Sequence, residues 1–153
     1  MTAIHKTETL TRTYPVPVAR VFAAWADAEA RRRWGSPSPA IEMRHEQANF
    51  AEGGRDVTLC LAEGEQIAEV YSHYIDIRPD ARIVLTETIE AGGARMGISL
   101  VTARFVEAAE GCTLTVTLQT TALDGHGLEN DVIEGWQAAL EMLAGYLGAP
   151  VSA

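Results

Sequence analysis

The clearest structural signal lies in residues 112–147, CTLTVTLQTTALDGHGLENDVIEGWQAALEMLAGYL, where two hydrophobic periods follow one another. From Cys112 to Thr121, leucine and valine alternate with threonine, which predicts a strand with one buried face and one solvated face. From about Asp131 to Leu147, apolar residues recur at helical spacing, and Asp131 with Glu134 forms a capping-box-like start. A helix of this length measures about 25 Å. Together the two segments predict a sheet whose buried face is covered by one long helix.

The region before this segment extends the sheet. Short alternating segments, separated by Gly, Pro or Asp, fill residues 41–121, and each connection is too short to hold a crossover helix. The sheet should therefore be antiparallel. We predict six strands here: Ile41–Asn49, Arg55–Leu61, Ile67–Ile77, Arg82–Glu90, Ile98–Glu107 and Cys112–Thr121.

The N-terminal region supplies one more strand and two short helices. The threonine-rich segment Ile4–Tyr14 reads as an edge strand that ends at a proline. Helices are predicted over Val18–Ala26 and over Ala28–Trp34, the second capped by Asp27. The run Arg31–Arg33 suits a solvated helix C-terminus, where the dipole favours positive charge, and its alternative role is contact with a partner. The whole order predicts an α+β fold with about seven strands curved around the long C-terminal helix.

The composition is that of one globular domain. The chain has 153 residues, 47% hydrophobic and 22% charged, which is enough to form a core without metal or disulfide support. Its 12 Lys and Arg against 21 Asp and Glu give a formal net charge of −9, which argues against nucleic acid as a partner. No segment has the pattern of a leader or a membrane span. We expect a single domain, residues 1–153, in the cytoplasm with no membrane partner.

Standard catalytic and metal-binding patterns are missing from the sequence. No hydrolase, phosphate-loop or dinucleotide motif occurs, and Cys60 and Cys112 lack metal or redox spacing, so we expect buried free thiols. Adjacent His45 and Glu46 lie on a predicted strand and point to opposite faces, which favours separate surface or rim positions. We therefore predict no cofactor and no metal site, although four scattered histidines are present: His5, His45, His73 and His126.

Glu87 is the most unusual residue of the predicted sheet. It has the same strand parity as Leu85 and Ile89, so its side chain is predicted to point inward unless a bulge intervenes. A charged carboxylate is costly to bury, so an inward Glu87 must meet a cation, bind a hydrogen-bonding ligand or take up a proton. The alternative is a solvated rim carboxylate paired with one of three arginines, Arg82, Arg95 or Arg104.

Several local strings, in the same order, resemble one known family. They are Arg12, residues 17–25 (PVARVFAAW), 33–37 (RWGSP), 52–55 (EGGR) and 77–83 (IRPDARI), and Glu134-Gly135-Trp136 with Leu140 and Leu143. The chain resembles the START-like superfamily, and within it the family related to the C-terminal domain of the activator of the heat-shock-protein-90 ATPase. Relatives commonly carry paired tryptophans where this chain has Arg33-Trp34, and an aromatic residue near the position of Glu87.

The resemblance implies a helix-grip fold with a cavity between sheet and helix that often holds an apolar or aromatic small molecule. Tyr71 and His73 share one face of the fourth strand and Tyr74 lies on the other, so one of these two sets should face the cavity. The predicted lining consists of Trp25, Trp34, Met43, His45, Phe50, Leu59, Tyr71, His73, Tyr74, Leu85, Glu87, Trp136 and Leu140.

Three functions follow as hypotheses. The first is binding of a small apolar or aromatic molecule in the cavity. The second is a cyclase or hydratase type of enzyme in which Glu87 or His73 moves a proton. The third, suggested only by the family name, is regulation of a chaperone ATPase. The sequence leaves open whether the protein forms a homodimer through an exposed strand edge.

Overall fold

The computed structural model describes residues 2–148 and contains seven strands and three helices there. Their bounds are β1 (Ala3–Tyr14), α1 (Val18–Ala26), α2 (Ala28–Trp34), β2 (Ile41–Gln47), β3 (Arg55–Ala62), β4 (Glu65–Arg78), β5 (Arg82–Ala91), β6 (Ala94–Ala108), β7 (Gly111–Leu123) and α3 (Leu128–Leu147). The strands form one antiparallel sheet in the order β1-β7-β6-β5-β4-β3-β2. The predicted α+β architecture is confirmed, and β1 lies at an edge of the sheet as predicted.

The long helix begins earlier than its sequence pattern indicates. Gly127 occupies the N-cap with a positive φ of 76°, and no side chain of residues 2–148 caps the helix. The Gly127 carbonyl accepts from the backbone N–H groups of Asn130 and Asp131. The capping box predicted for Asp131 and Glu134 is therefore wrong, because Asp131 already lies in the first turn. At that position the negative charge of Asp131 still stabilises the helix, because it lies near the positive end of the helix dipole.

Four β-bulges or irregularities bend one half of the sheet. Register shifts interrupt the pairing of β2 with β3, β3 with β4, β4 with β5, and β5 with β6. The pairings of β1 with β7 and of β6 with β7 run without a shift. Bulges bend a strand and increase its twist, and α3 packs mainly on β1 and β7 rather than on this bent half.

The tightly packed core lies on the other half of the sheet. Leu140 and Leu143 of α3 are fully buried against inward side chains of β1, β6 and β7, such as Leu114 and Val116. The Tyr14 hydroxyl donates a hydrogen bond to the carbonyl of Leu140 across this interface, with an O···O distance of 3.1 Å. One end of the long helix is thereby fixed to the sheet, while its first half spans the bent region.

Gly111 allows β1 and β7 to meet closely at the edge of this core. Its φ of +145° lies in a region that side chains disfavour. A Cβ atom at this position would stand 2.4 Å from the Tyr14 carbonyl oxygen and 2.6 Å from the Val16 nitrogen. Both neighbours are backbone atoms, so neither can yield without moving the chain.

Within the described residues, no helix is both long and apolar enough to cross a membrane.

Candidate functional site

A cavity of about 420 Å³ separates the bent half of the sheet from the helices. Its walls come from β2 to β5, from the first half of α3, and from α1, α2 and the loop that follows them. Small-molecule sites typically occupy about 300–1,000 Å³ and are mostly apolar, and this cavity has both properties. Its apolar lining includes Trp25, Trp34, Ile41, Met43, Cys60, Val70, Leu85, Ile89, Val132, Trp136 and Ala139.

Three tryptophans, one from each helix, form the aromatic part of the lining. Trp25 stacks on Trp136 with ring centroids 5.6 Å apart and planes at 18°, and Trp34 lies 5.0 Å from Trp25. The Trp34 indole donates to the Ala24 carbonyl at 2.9 Å, and the Trp136 indole donates to Glu87. The Trp25 Nε1 atom is buried without a hydrogen-bond partner in the described part of the chain. This arrangement presents rigid aromatic surface to whatever occupies the cavity.

Glu87 lies in the wall of the cavity, on the face that its strand parity predicts. Its Oε1 accepts a hydrogen bond from Trp136 Nε1 at 3.2 Å. Within residues 2–148, no ion pair joins Glu87 to Arg82, Arg95 or Arg104, so the predicted rim arrangement does not occur. Arg82 pairs with Asp76 and Arg95 pairs with Glu90. The part of Glu87 that remains accessible opens into the cavity. Burial raises the pKa of this carboxyl from 4.5 to about 7, and the indole hydrogen bond offsets only part of that effect.

Polar residues next to Glu87 form a row across three strands of the concave face. Glu87 of β5 is paired in register with Ser72 of β4, and Ser72 is paired with Asp56 of β3. All three side chains line the cavity. The Ser72 hydroxyl makes no hydrogen bond to any residue between 2 and 148, so it is free to bind a ligand.

Asp56, at the end of this row, is neutralised by Arg31. The guanidinium donates from Nε to Asp56 Oδ2 at 2.9 Å and from Nη2 to Oδ1 at 3.1 Å. The two side chains are only 10% and 4% exposed. Asp56 also accepts from the Tyr74 hydroxyl at 2.9 Å and from the Asn49 backbone N–H at 3.1 Å. This ion pair is well satisfied, as a buried pair must be.

The prediction of a fully solvated Arg31–Arg33 run is wrong for Arg31. Arg31 turns inward, where it meets Asp56 and donates to the carbonyls of Trp25 and Ala26 at the end of α1, both at 2.9 Å. Arg32 and Arg33 remain near solvent and pair with Glu29. The difference arises because only the first of the three arginines lies on the side of α2 that faces β3.

His45 is a half-buried member of the sheet wall, and its neighbour Glu46 is exposed on the opposite side. His45 Nδ1 lies 2.9 Å from Thr58 Oγ1, and Nε2 lies 3.2 Å from the Ala28 carbonyl oxygen. The carbonyl can only accept, so Nε2 carries the hydrogen and Nδ1 accepts from the threonine. Burial lowers the pKa of His45, which favours the neutral ring.

The structure brings eight of the thirteen predicted lining residues to the cavity. They are Trp25, Trp34, Met43, His45, Tyr74, Leu85, Glu87 and Trp136. Phe50 instead packs beside the Phe22 and Tyr74 rings, and Leu140 belongs to the packed core under α3. Leu59, Tyr71 and His73 point to the side of the sheet opposite the cavity, and His73 is exposed there. Of the two alternatives for β4, Tyr74 is therefore the one that faces the cavity.

Five polar lining residues were not among those predicted: Arg31, Asp56, Thr58, Ser72 and Asp131. Asp56 and Thr58 share parity with Cys60, and Ser72 shares parity with Tyr74, so a face assignment for β3 and β4 would have found them. Arg31 has no comparable local signal, because its partner is 25 residues away. Among residues 2–148, no three His, Cys, Asp or Glu side chains come together in a way that could hold a metal ion.

A curved antiparallel sheet that grips a long helix over an internal cavity defines a helix-grip protein of the START-like class. The chain belongs to the family described as Activator of Hsp90 ATPase homolog 1-like protein, whose model matches residues 15–148. None of the curated proteins is significantly similar to the chain in sequence.

Solved structures with the same fold agree with this assignment. A protein from Rhizobium leguminosarum is 30% identical with a TM-score of 0.85, over 96% of this chain and 97% of that chain. A protein from Rhizobium loti is 33% identical with a TM-score of 0.83, over 95% of this chain and 99% of that one. The AHSA1-like protein from Aeromonas hydrophila is 16% identical with a TM-score of 0.72, over 94% and 92%, and shows the shared fold alone.

Proposed function

We propose that the protein binds a small, largely apolar or aromatic molecule in the cavity between α3 and strands β2 to β5. The observation that carries the proposal is a 420 Å³ cavity whose wall is mainly apolar and in which Glu87, Ser72 and Asp56 form one polar row across the sheet. Removing apolar ligand surface from water contributes about 25 cal/mol for each Å². The apolar wall thus supplies affinity, and the polar row fixes the orientation of the ligand.

The mouth of the cavity is marked by lining residues that are also exposed. Ile67 at the start of β4, Pro37 after α2, and Asp131 in the first turn of α3 belong to this group. Ile67 is 46% exposed, although it is a large aliphatic side chain. An exposed aliphatic residue at the opening of an apolar cavity suits the passage of an apolar ligand.

Native mass spectrometry of gently purified protein tests the proposal first, because it detects a retained small molecule whatever its identity. A panel of apolar and aromatic compounds in a thermal-shift assay then extends the test, since any ligand of the folded state raises the melting temperature. We expect a discrete added mass, or stabilisation by a subset of the panel. The same spectrum reports whether the protein is a monomer or a dimer.

A variant with a blocked cavity separates this binding from binding at the surface. Ala68 lines the cavity on β4, so Ala68→Phe should fill part of it and abolish the added mass and the thermal shift. Ala94→Phe places the same ring at an exposed position on β6 and should leave both unchanged. Equal ligand binding by Ala68→Phe and wild type would contradict the proposal.

A second candidate function is acid–base catalysis by Glu87. A carboxyl with a pKa of about 7 inside an apolar cavity is suited to accept and return a proton near neutral pH. No cation among the described residues pairs with it, so its proton is available to a bound substrate. Should a substrate be identified, Glu87→Gln should abolish turnover while substrate still binds. Unchanged turnover in this variant would remove Glu87 from that role.

A further inference from the structure

The charges around the cavity are not balanced. Arg31 and Asp56 neutralise each other through two hydrogen bonds, and His45 is neutral because burial lowers its pKa. The acids Glu87 and Asp131 remain, the first in the wall and the second at the mouth. No lining cation of the described chain is left over to balance them. The charge that remains at the cavity and its mouth is therefore negative.

The remaining ionisable groups that face Glu87 do not change this balance. Tyr74 of β4 and Cys60 of β3 both keep their protons at neutral pH, since burial raises the pKa of each, in the case of Cys60 to about 11. From α3, the neighbour of Glu87 is the neutral indole of Trp136. Its register partner on β6 is Ser99, which hydrogen bonds to Thr120.

Arg31 is not available to an anionic ligand. Its Nε and Nη2 groups donate to Asp56, and Nη1 donates to the carbonyls of Trp25 and Ala26. These contacts fix the guanidinium between α1 and β3. At the wall formed by the described residues, a ligand carboxylate would find no free cation and would meet Glu87, whose negative charge repels it.

Glu87 itself has unused capacity to accept hydrogen bonds. Trp136 occupies Oε1, whereas Oε2 has no partner among residues 2–148. The free Ser72 hydroxyl belongs to the residue paired with Glu87 across the strands, about 5 Å away between Cβ atoms. An ammonium group has three donors and a positive charge, so it can use both acceptors at once. It also removes the cost of ionising a buried acid.

We infer that the cavity selects ligands in which a protonated amine is attached to an apolar or aromatic body, with Glu87 as the counter-ion and Ser72 as a second acceptor. The inference rests on the proposed function and specifies its ligand class. The indoles of Trp25, Trp34 and Trp136 take the apolar body, and aromatic faces near the amine add cation–π attraction. Asp131 at the mouth favours approach of the same charge.

Three probes with one hydrocarbon body test this selection: 4-phenylbutylamine, 4-phenylbutanol and 4-phenylbutyrate. Their affinities are measured by isothermal titration calorimetry at pH 8 for wild type, Glu87→Gln and Glu90→Gln. We expect wild type to bind the amine roughly tenfold tighter than the alcohol, and the acid most weakly. Glu87→Gln should weaken amine binding by roughly 10- to 100-fold, as expected for a lost hydrogen bond to a charged group, and should weaken the alcohol by less than about threefold, because glutamine keeps a hydrogen-bond acceptor for its hydroxyl.

The Glu90→Gln control makes the same chemical change on the same strand at a residue whose carboxylate pairs with Arg95 away from the cavity. It should bind all three probes as wild type does. A second measurement needs no variant. At pH 7, binding of the amine should release about half a proton, seen by titration in two buffers with different ionisation heats, because Glu87 is about half protonated there.

The possible outcomes separate this inference from the proposed function. Equal or tighter binding of the alcohol or the acid would overturn the inference and leave a ligand-binding cavity in place. An amine that binds wild type and Glu87→Gln equally, without release of protons, would overturn it as well. If none of the probes binds while native mass spectrometry shows a retained neutral or anionic molecule, the inference of amine selection is overturned and the proposed binding function stands. Failure of both experiments overturns the proposed function too.

Discussion

Replacing Glu87 with glutamine should change how stability depends on pH. In the unfolded chain the carboxyl titrates near 4.5, and in the folded protein burial raises its pKa to about 7. Between these values the folded state holds a proton that the unfolded state has lost. Stability therefore falls as pH rises from about 4.5 to about 7, and the Glu87 contribution changes no further above that range.

The size of the effect follows from the interval between the two pKa values. It is 7 − 4.5 = 2.5, and one pKa unit is worth about 1.36 kcal/mol, so the full effect is about 3 kcal/mol. Water that enters the cavity solvates the carboxylate and reduces this figure, so we expect about 1–3 kcal/mol. Glutamine has nearly the same shape and stays uncharged, so Glu87→Gln should gain this amount relative to wild type between pH 5 and pH 8.

Urea unfolding followed by circular dichroism measures this difference at each pH, and its readout does not depend on Trp136 fluorescence. Taking the difference between wild type and variant removes the titration of all other groups. Glu90→Gln makes the same change on the same strand at a residue that pairs with Arg95 near solvent, so it controls for the loss of a carboxylate outside the cavity. A difference between Glu87→Gln and wild type that stays constant from pH 5 to pH 8 would refute the reasoning.

Three further substitutions test the parts of the fold that hold the cavity in place. Arg31→Met leaves Asp56 buried without its cation and should cost about 3–5 kcal/mol of unfolding free energy in urea titrations, so a loss below about 1 kcal/mol would show that the pair is not needed. Leu140→Ala removes a fully buried side chain and should cost about 2–5 kcal/mol by the same assay, whereas a cost near zero would mean that α3 is not packed as described. Gly111→Ala places a Cβ against the Tyr14 carbonyl and should lower the melting temperature through a strain of about 1–3 kcal/mol, and an unchanged melting temperature would contradict the close approach of β1 and β7.

The inward direction of Glu87 could be predicted because side-chain direction in a strand is a local property. Parity holds as long as no bulge intervenes, and the register shift in β5 falls after Ile89, beyond Glu87. In β4 the same rule separated Tyr74 from Tyr71 and His73 but could not say which set faces the cavity. That choice depends on which face of the whole sheet the helices cover.

The positions of Arg31 and of the start of α3 needed the tertiary structure. Arg31 reads as one of three equivalent basic residues at a helix end, and its inward turn depends on Asp56, which lies on another element. The early start of α3 depends on Gly127, whose left-handed backbone replaces the side-chain cap that the sequence suggests at Asp131. The Arg31 contact and the backbone conformation of Gly127 do not affect the spacing of apolar residues, so that spacing could not predict them.

The sequence alone determined the order of strands and helices along the chain, the antiparallel pairing, and the burial of one face of the sheet. These features depend on the spacing of apolar residues and on the lengths of the connections, which are local properties of the sequence. The tertiary structure decided where packing is dense and where it leaves space. Bulges bend the β2–β5 half, and α3 packs mainly on β1 and β7. Among residues 2–148, Arg31 neutralises Asp56 while no cation pairs with Glu87. The cavity and its charge therefore depend on contacts between segments that are distant in sequence, and no local sequence pattern predicts such contacts.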